Sequence, residues 1–294
     1  MVEVGDILLA LYGANSGDIS ISQMRGAINQ AILCIRTNVA PVFFKSVWEK
    51  HAQKILNTYL QGGQGNLSAD IVKKITISIP SQIEQAKIAA LFSHLDERIS
   101  IQNKVIEKYE SLIKALRHHL FSTLESVKEV PVADLLSYEQ PTKYIVSDTE
   151  YSNNTDLTPV LTANKAFILG YTDEVEGIYD KGPCIILDDF TLDFKIVEFP
   201  FKVKSSAIKI LSAKTTVSLR YIFEYLKFLD LNTEEHKRHY IAEIEPMSIE
   251  LPEEDTIKSI AFLFDLMDKR RKGLERDQQL LKSQKDYLLR EIFI

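Results

Sequence analysis

The 294-residue sequence predicts an α+β protein in which two mixed α/β domains are joined by two long helices that pair as an antiparallel coiled coil. Three observations predict it. The first is an internal repeat. Ile79-Pro80 opens a run containing Ile88-Ala89, Leu91-Phe92, Asp96 and Arg98, and Leu251-Pro252 opens another containing Ile260-Ala261, Leu263-Phe264, Asp268 and Arg270. The offset of 172 residues is constant and still holds at Phe121 and Phe293, so one structural unit is used twice. The second is a heptad pattern after Pro80. The third is a match between strand-like runs ahead of each repeat, where Gly182–Leu187 follows Gly5–Ala10 at an offset of 177 and Ser205–Ile208 follows Asn29–Ile32 at 176.

The elements follow in order. In domain 1 (residues 1–80), Val4–Tyr12 reads as a buried strand, Gly13–Gly17 as a turn, and Ile19–Ser22 and Ala31–Ile35 as further strands. A helix is expected from about Val42 to Leu60, a polar Gly-rich loop over Gln61–Ser68, and an alternating strand over Lys74–Ile79 that Pro80 ends. The first spacer helix (81–126) opens on Ser81 with Glu84 three residues on, a capping box. Its seam is Phe92, Ile99, Ile106, Ile113 and Leu120, with Leu95, Gln102, Tyr109 and Leu116 between them, and Gln102 is the one polar break. At 1.5 Å per residue it spans about 65 Å, more than a globular core needs, so it must pair with another long helix. The second spacer (253–294) offers Met267, Leu274, Leu281 and Leu288, with Arg271, Gln278 and Lys285 where the first has Ile99, Ile106 and Ile113. Pairing of the two helices within the chain is the expectation, and a homodimeric coiled coil is the competitor. Domain 2 (127–252) has the stretch Lys128–Lys181 ahead of Gly182, whereas only four residues precede Gly5. Domain 1 therefore reads as shortened at its front.

Composition narrows the class. There are 45% hydrophobic and 26% charged residues, and no apolar run approaches the ~18 residues of a membrane span. The N-terminal MVEVGDILLALYG lacks a basic flank and a small-residue cleavage site, so a cytoplasmic protein without membrane contact is expected. Cys34 and Cys184 read as buried reduced thiols, and the six histidines show no ligand spacing, so no metal is assigned. Net charge is −6: residues 1–80 carry 7 basic and 5 acidic side chains, but residues 127–252 carry 13 and 21. A lone DNA-binding domain usually has a basic excess, and this chain does not.

With those residues in view, the chain resembles the specificity subunit of a Type I restriction–modification system. Gly5–Ala14 through Gly26–Ala31 is similar to the middle of a target-recognition domain, and Gln64–Ser68 followed by Ile79-Pro80 to that domain's exit into its spacer helix. Thr158–Thr162, Ile186–Thr191 and Phe199–Val203 resemble a second such domain. The resemblance implies that each domain reads half of a split site on double-stranded DNA. It implies too that the helices set the gap and dock methyltransferase subunits, and that restriction subunits join through the complex. It implies no catalysis and no cofactor on this chain; S-adenosylmethionine, Mg and ATP belong to the partner subunits. The basic surface for phosphate contacts would then come largely from those partners. A shortened first domain fits a shortened gene product, a silent specificity cassette, or a subunit completed by a second polypeptide.

Candidate DNA contacts follow. Tyr12, Asn15 and Ser16 sit where a strand ends, and an amide there suits adenine N6 and N7; a turn without contacts is the alternative. Gln64, Asn66 and Ser68 lie on the Gly-rich loop, which lacks the Lys-Ser/Thr tail of a P-loop. Thr162, Asn164 and Lys165 form a polar cluster after a strand, Lys202 and Lys204 a small basic stretch, and Arg238 could hold phosphate or read guanine. For each, ordinary solvated surface stands as the rival. Asn29 and Gln30 read as amides that satisfy backbone. Asp188-Asp189 with Asp193 and Lys195 faintly resemble a metal-dependent nuclease, but the aligned Leu11-Tyr12 and Ser16-Gly17-Asp18 could not serve. The reading is therefore not an enzyme. Its rival from another class is an interaction protein whose domains do not bind DNA.

Overall fold

The computed structural model describes residues 1–59, 67–162, 167–231 and 239–293. It divides into two compact units, Met1–Lys108 with Lys272–Ile294, and Tyr109–Arg271.

In the first unit β1 (Ile7–Ala10) lies between β2 (Ile19–Ile21) and β3 (Ile32–Ile35), antiparallel to both. Their branched apolar residues suit a pleated, half-buried face. Helix α1 (Pro41–Tyr59) packs Trp48 and Ile55 against Leu9, Leu11 and Leu67. Pro41 suits a first helical turn, where its missing N–H costs nothing. Ser68 caps the short α2 (Ala69–Lys74) by accepting from the Ile71 N–H at 3.2 Å.

Lys74–Ile79 was expected as a strand, and it is not one. Lys74 ends α2, and Ile75–Ile79 has no ladder partner among the described residues. The alternation is present, with Ile75 and Ile77 half-buried and Thr76 and Ser78 exposed, but alternation alone does not supply a neighbouring strand.

Helix α3 (Gln82–Ser122) then starts on the expected capping box. The Ser81 N–H donates to Glu84 Oε2 at 3.0 Å, and the Glu84 N–H reaches Ser81 Oγ at 3.4 Å.

The second unit holds a four-stranded antiparallel sheet of β5 (Leu136–Glu139), β8 (Cys184–Asp188), β9 (Phe194–Val197) and β11 (Ile208–Ala213), in the order β5-β11-β8-β9. A second sheet places β6 (Thr158–Leu161) between β7 (Ile168–Thr172) and β10 (Lys202–Val203). β4 (Lys128–Pro131) pairs with β12 (Ser248–Leu251), and the single turn α4 (Val132–Leu135) joins β4 to β5. Helix α5 (Leu219–Phe228) and the helix α6 (Glu254–Ile292) close the larger core around Phe121, Ile185, Leu187, Tyr221, Ile249 and Phe264.

The repeat is therefore physical. β1, β2 and β3 correspond to β8, β9 and β11. Leu8 faces Cys34, and Ile185 faces Leu211, so the pairing displaces both strands by 177 residues. The sequence match at 176 for Ile32 and Ile208 is one residue off this register. A one-residue slip exchanges the two faces of a strand, and it hides the fact that buried Lys209 stands where Ile32 stands.

α3 and α6 pair antiparallel. In the first unit Gln102 donates to the Leu274 carbonyl at 2.8 Å, Gln278 reaches Asn103 at 2.5 Å, and the Phe92 and Phe293 rings stack with centroids 5.9 Å apart. The seam places Phe92, Leu95, Ile106 and Leu274 in buried positions and Ile99, Leu281 and Leu288 in half-buried ones. In the second unit Tyr109, Ile113, Leu116 and Leu120 pack on the cluster that contains Met267. Of the thiols, Cys184 is fully buried and pushed up to about 12 by that burial. Cys34 is only half-buried, and its thiol lies 3.4 Å from Asp6 Oδ2.

Candidate nucleic-acid interface

In the first unit β1 delivers the chain to Tyr12, whose ring is exposed, and a 3-10 turn (Gly13–Asn15) then leaves Asn15 exposed as well. The turn is pinned from below. Gly17 has φ +91°, a Cβ there would meet Leu56 at 2.9 Å, and its carbonyl accepts the Trp48 indole N–H at 2.7 Å. The Ser16 hydroxyl donates to the Leu11 carbonyl at 3.0 Å, and the Leu67 N–H donates to the same carbonyl. Leu11 O thus brings the Tyr12 turn and the start of α2 together. The Ser68 hydroxyl is engaged in its cap; Gln64 and Asn66 lie outside the described residues. Asn29 Oδ1 accepts the Ala31 N–H at 3.0 Å, a backbone-satisfying role.

The second unit repeats this tie with different chemistry. At the end of β8, Asp189 Oδ1 accepts the backbone N–H groups of His239 and Tyr240 at 3.1 and 2.9 Å, while Oδ2 lies 3.4 Å from the Lys209 ammonium. Asp189 and Lys209 are both buried, and the ammonium also lies over the Tyr138 ring. Asp188 accepts the Phe190 N–H at 3.0 Å. Both carboxylates of the nuclease-like pattern therefore hold backbone, and no cluster of three metal-ligating side chains occurs among the described residues.

The other candidates separate by burial. Thr162 is buried, with its N–H on the Phe167 carbonyl. Lys202 is 3% exposed and pairs with Glu174 at 2.8 Å, so its charge faces inward. Lys204 is exposed at the end of β10, where its N–H bonds the Leu161 carbonyl and brings it beside the end of β6. Asn164, Lys165 and Arg238 lie outside the described residues. Nearby, burial would raise the Glu139 carboxyl, but Lys143, Lys181 and the Tyr144 hydroxyl outweigh it and hold the group down at about 2.

The sequence reading missed a clasp that occurs in both units. In the first, Lys45 of α1 pairs with Asp96 of α3 at 2.5 Å and with Glu49 one turn on at 3.0 Å. Lys285 of α6 reaches Asp96 at 2.7 Å and Glu49 at 2.8 Å. In the second, Arg220 of α5 pairs with Asp265 at 2.6 Å, with Asp268 at 3.5 Å and with Glu224 at 3.3 Å; Arg117 of α3 closes on Glu224 at 2.7 Å. Asp96 and Asp268 are repeat equivalents, and each domain helix carries a basic residue four before a Glu. That signal, Lys45/Glu49 and Arg220/Glu224, was visible in the sequence as an i,i+4 pair in each copy.

Each unit thus presents a strand end with projecting polar side chains, on a domain clasped to an antiparallel helix pair. This is the class of a duplicated α+β scaffold built around a pair of long helices. Residues 2–111 match the family model for the Type I restriction modification DNA specificity domain. The Escherichia coli EcoR124I/EcoR124II specificity subunit is 43% identical over 132 residues, which cover 43% of this chain and 32% of that protein; the chain spans about a third of that relative's length. Over all of this chain and 84% of the other, the fold matches the crystal structure of the Type I restriction–modification S subunit from M. genitalium, with TM-score 0.65 and 15% identity. A second structure, described as the structural basis of complex assembly and conformational transition of the type I R-M system, matches over 99% of this chain and 82% of its own, with TM-score 0.57 and 14% identity. The family likeness is thus carried by residues 2–111, and the chain as a whole shares the fold of these two solved structures.

Proposed function

We propose that the chain is a DNA-recognition and scaffolding subunit of a Type I restriction–modification complex. Each domain reads one half of a split site, while α3 and α6 set the gap and dock methyltransferase subunits; restriction subunits join through the complex. The carrying observation is the duplication: the same strand trio, domain helix and charged clasp occur twice, which suits two half-sites joined by a fixed spacer. Tyr12 and Asn15 in the first unit and Lys204 in the second are the described candidates whose side chains are free to reach DNA. Lys202 and Ser68 would act by holding the backbone that presents them. Chemistry and its cofactors, S-adenosylmethionine, Mg and ATP, reside on partners, and the chain works in the cytoplasm. With net charge −6 the chain alone binds DNA weakly, and its affinity rises when basic partners complete the phosphate contacts.

The test is to map adenine methylation genome-wide in cells expressing this chain with its cognate methyltransferase subunit. A gapped two-part motif supports the proposal. Methylation of one half-site alone, or of a palindromic repeat of one half, confines reading to one domain. An absence of methylation with the complex assembled favours an interaction protein or a silent cassette instead.

A further inference from the structure

The second unit closes a circuit of buried polar contacts just past the end of β8. Asp189 and Lys209 are 1% and 3% exposed, and Asp189 Oδ2 lies 3.4 Å from the Lys209 ammonium. The ammonium also donates to the Tyr138 hydroxyl at 2.9 Å. Asp189 Oδ1 accepts the His239 and Tyr240 N–H groups, and the Tyr240 ring lies 5.4 Å from the Tyr138 ring, which completes the circuit. The fold does not need charges there. At the offset of 177 the strand trio of the first unit forms with Tyr12 and Ile32 in these two positions. Burying an ion pair costs desolvation on both sides, and apolar residues of similar volume are often as stable or more so. What the charged pair adds is direction: an anchored carboxylate takes two backbone N–H groups at once.

We propose that Asp189 and Lys209 are a positioning pair for DNA reading by the second unit, a role that rests on the DNA-recognition function proposed above. What they hold is the junction of two segments. One leaves β8 through Phe190 and Thr191, and the other is the π-helical turn Tyr240–Ile244. Thr191 and Ile241 are exposed, one on each segment. The repeat gives this junction its counterpart. His239 is the equivalent of Leu67 at the offset of 172, and the Leu67 N–H is held by the carbonyl of Leu11, one residue before Tyr12. In the first unit a backbone carbonyl makes the tie and the Tyr12 side chain is left exposed. In the second, the side chain at the Tyr12 position turns inward and makes the tie itself. In this role the carboxylate touches no base; it fixes the backbone from which neighbouring side chains project. Hydrogen bonds to base edges weaken steeply with misalignment, so releasing this backbone should degrade discrimination before it degrades folding.

The experiment compares two double variants of the full chain, each expressed with the cognate methyltransferase subunit, by genome-wide mapping of methylated adenines. Asp189→Leu with Lys209→Met removes both charges and the acceptor. Asp189→Asn with Lys209→Met removes both charges but keeps an oxygen for the two N–H groups. The leucine variant should unfold in urea no earlier than the wild type and keep one half of the methylated motif. Its selectivity for the other half should fall at least about tenfold. Its His239 and Tyr240 amides should exchange hydrogen at least about tenfold faster. The asparagine variant should retain both the wild-type motif and the slow exchange. A full wild-type motif from the leucine variant overturns the proposal, and so does loss of the same half from the asparagine variant. A leucine variant that unfolds earlier makes the tie a support of the fold rather than of reading, and overturns it too. A wild-type chain without a two-part motif is a separate failure: it overturns the DNA-reading function, and this proposal with it.

Discussion

Glu224 is 3% exposed and receives Arg117 from α3 and Arg220 from its own helix, so its charge is tolerable only while both cations are present. Removing one partner of a buried pair costs about 3–5 kcal/mol, whereas replacing the pair with apolar residues is often neutral. Arg117→Met should therefore destabilise the second unit by about 3 kcal/mol. Adding Glu224→Leu to it should recover most of that loss, as measured by urea unfolding. A double variant as unstable as the single would remove the clasp from the energetics of this unit. Glu139 makes a separate prediction about acid. Its folded carboxyl sits at about 2 against an ordinary 4.5, so the folded state holds its proton less tightly than the unfolded state does. Its contribution is complete above pH 4.5 and is lost as pH falls towards 2. Because Lys143 and Lys181 are more than half exposed, the effect is modest. Glu139→Gln should flatten the fall in stability between those two pH values by lowering stability modestly at neutral pH while leaving it unchanged near pH 2. An acid limb of unaltered slope would assign the acid loss to other carboxylates.

Elements differ in how plainly the sequence announces them. The seam of α3 was legible because Phe92, Leu95 and Ile106 recur at heptad spacing and are all buried. The capping box of Ser81 and Glu84 was legible because its chemistry is local. Thr76–Ile79 misled because alternation reports which side of a segment is buried, not whether another strand lies beside it. The clasps escaped because Lys45 and Lys285 are 240 residues apart, and periodicity carries no information on which charges meet across elements. Within the site, the strand ends at Tyr12 and Asn15 were readable, but the inward turn of Lys202 was not, since it depends on Glu174 from a distant loop. The polar pairs in the helix seam lead to a test of their own. Gln102 on the Leu274 carbonyl and Gln278 on Asn103 place directional bonds where apolar residues would pack better, a way of fixing register at a cost in stability. Gln102→Leu with Gln278→Leu should raise the Tm. It should also let cysteines placed at exposed neighbouring positions of α3 and α6 crosslink in more than one register. A single crosslinked register in that variant would show that the apolar seam alone aligns the helices.

At the scale of the whole molecule, the duplication does not make the two units equal in strength. The second unit buries two clusters, one around Phe121, Tyr221 and Phe264 and another around Tyr179, Cys184 and Phe201. The first has two smaller clusters, around Leu9, Trp48 and Leu67 and around Phe92, Leu95 and Leu289, with the groove of about 930 Å³ beside Thr76–Ile79 and an outer edge of β3 without a ladder partner among the described residues. Buried apolar surface is the main stabilising term, so the first unit should unfold at lower denaturant. The sequence supplies its own probe, because Trp48 is the single tryptophan, lies in the first unit and donates its indole N–H to the Gly17 carbonyl. Its fluorescence reports that unit, while most of the strand signal in circular dichroism comes from the second. The Trp48 transition should precede the main loss of ellipticity in urea, so a two-state description would fail for the whole chain. Coincident transitions by the two probes would mean that the helices α3 and α6, which pass through both units, couple them into one cooperative fold.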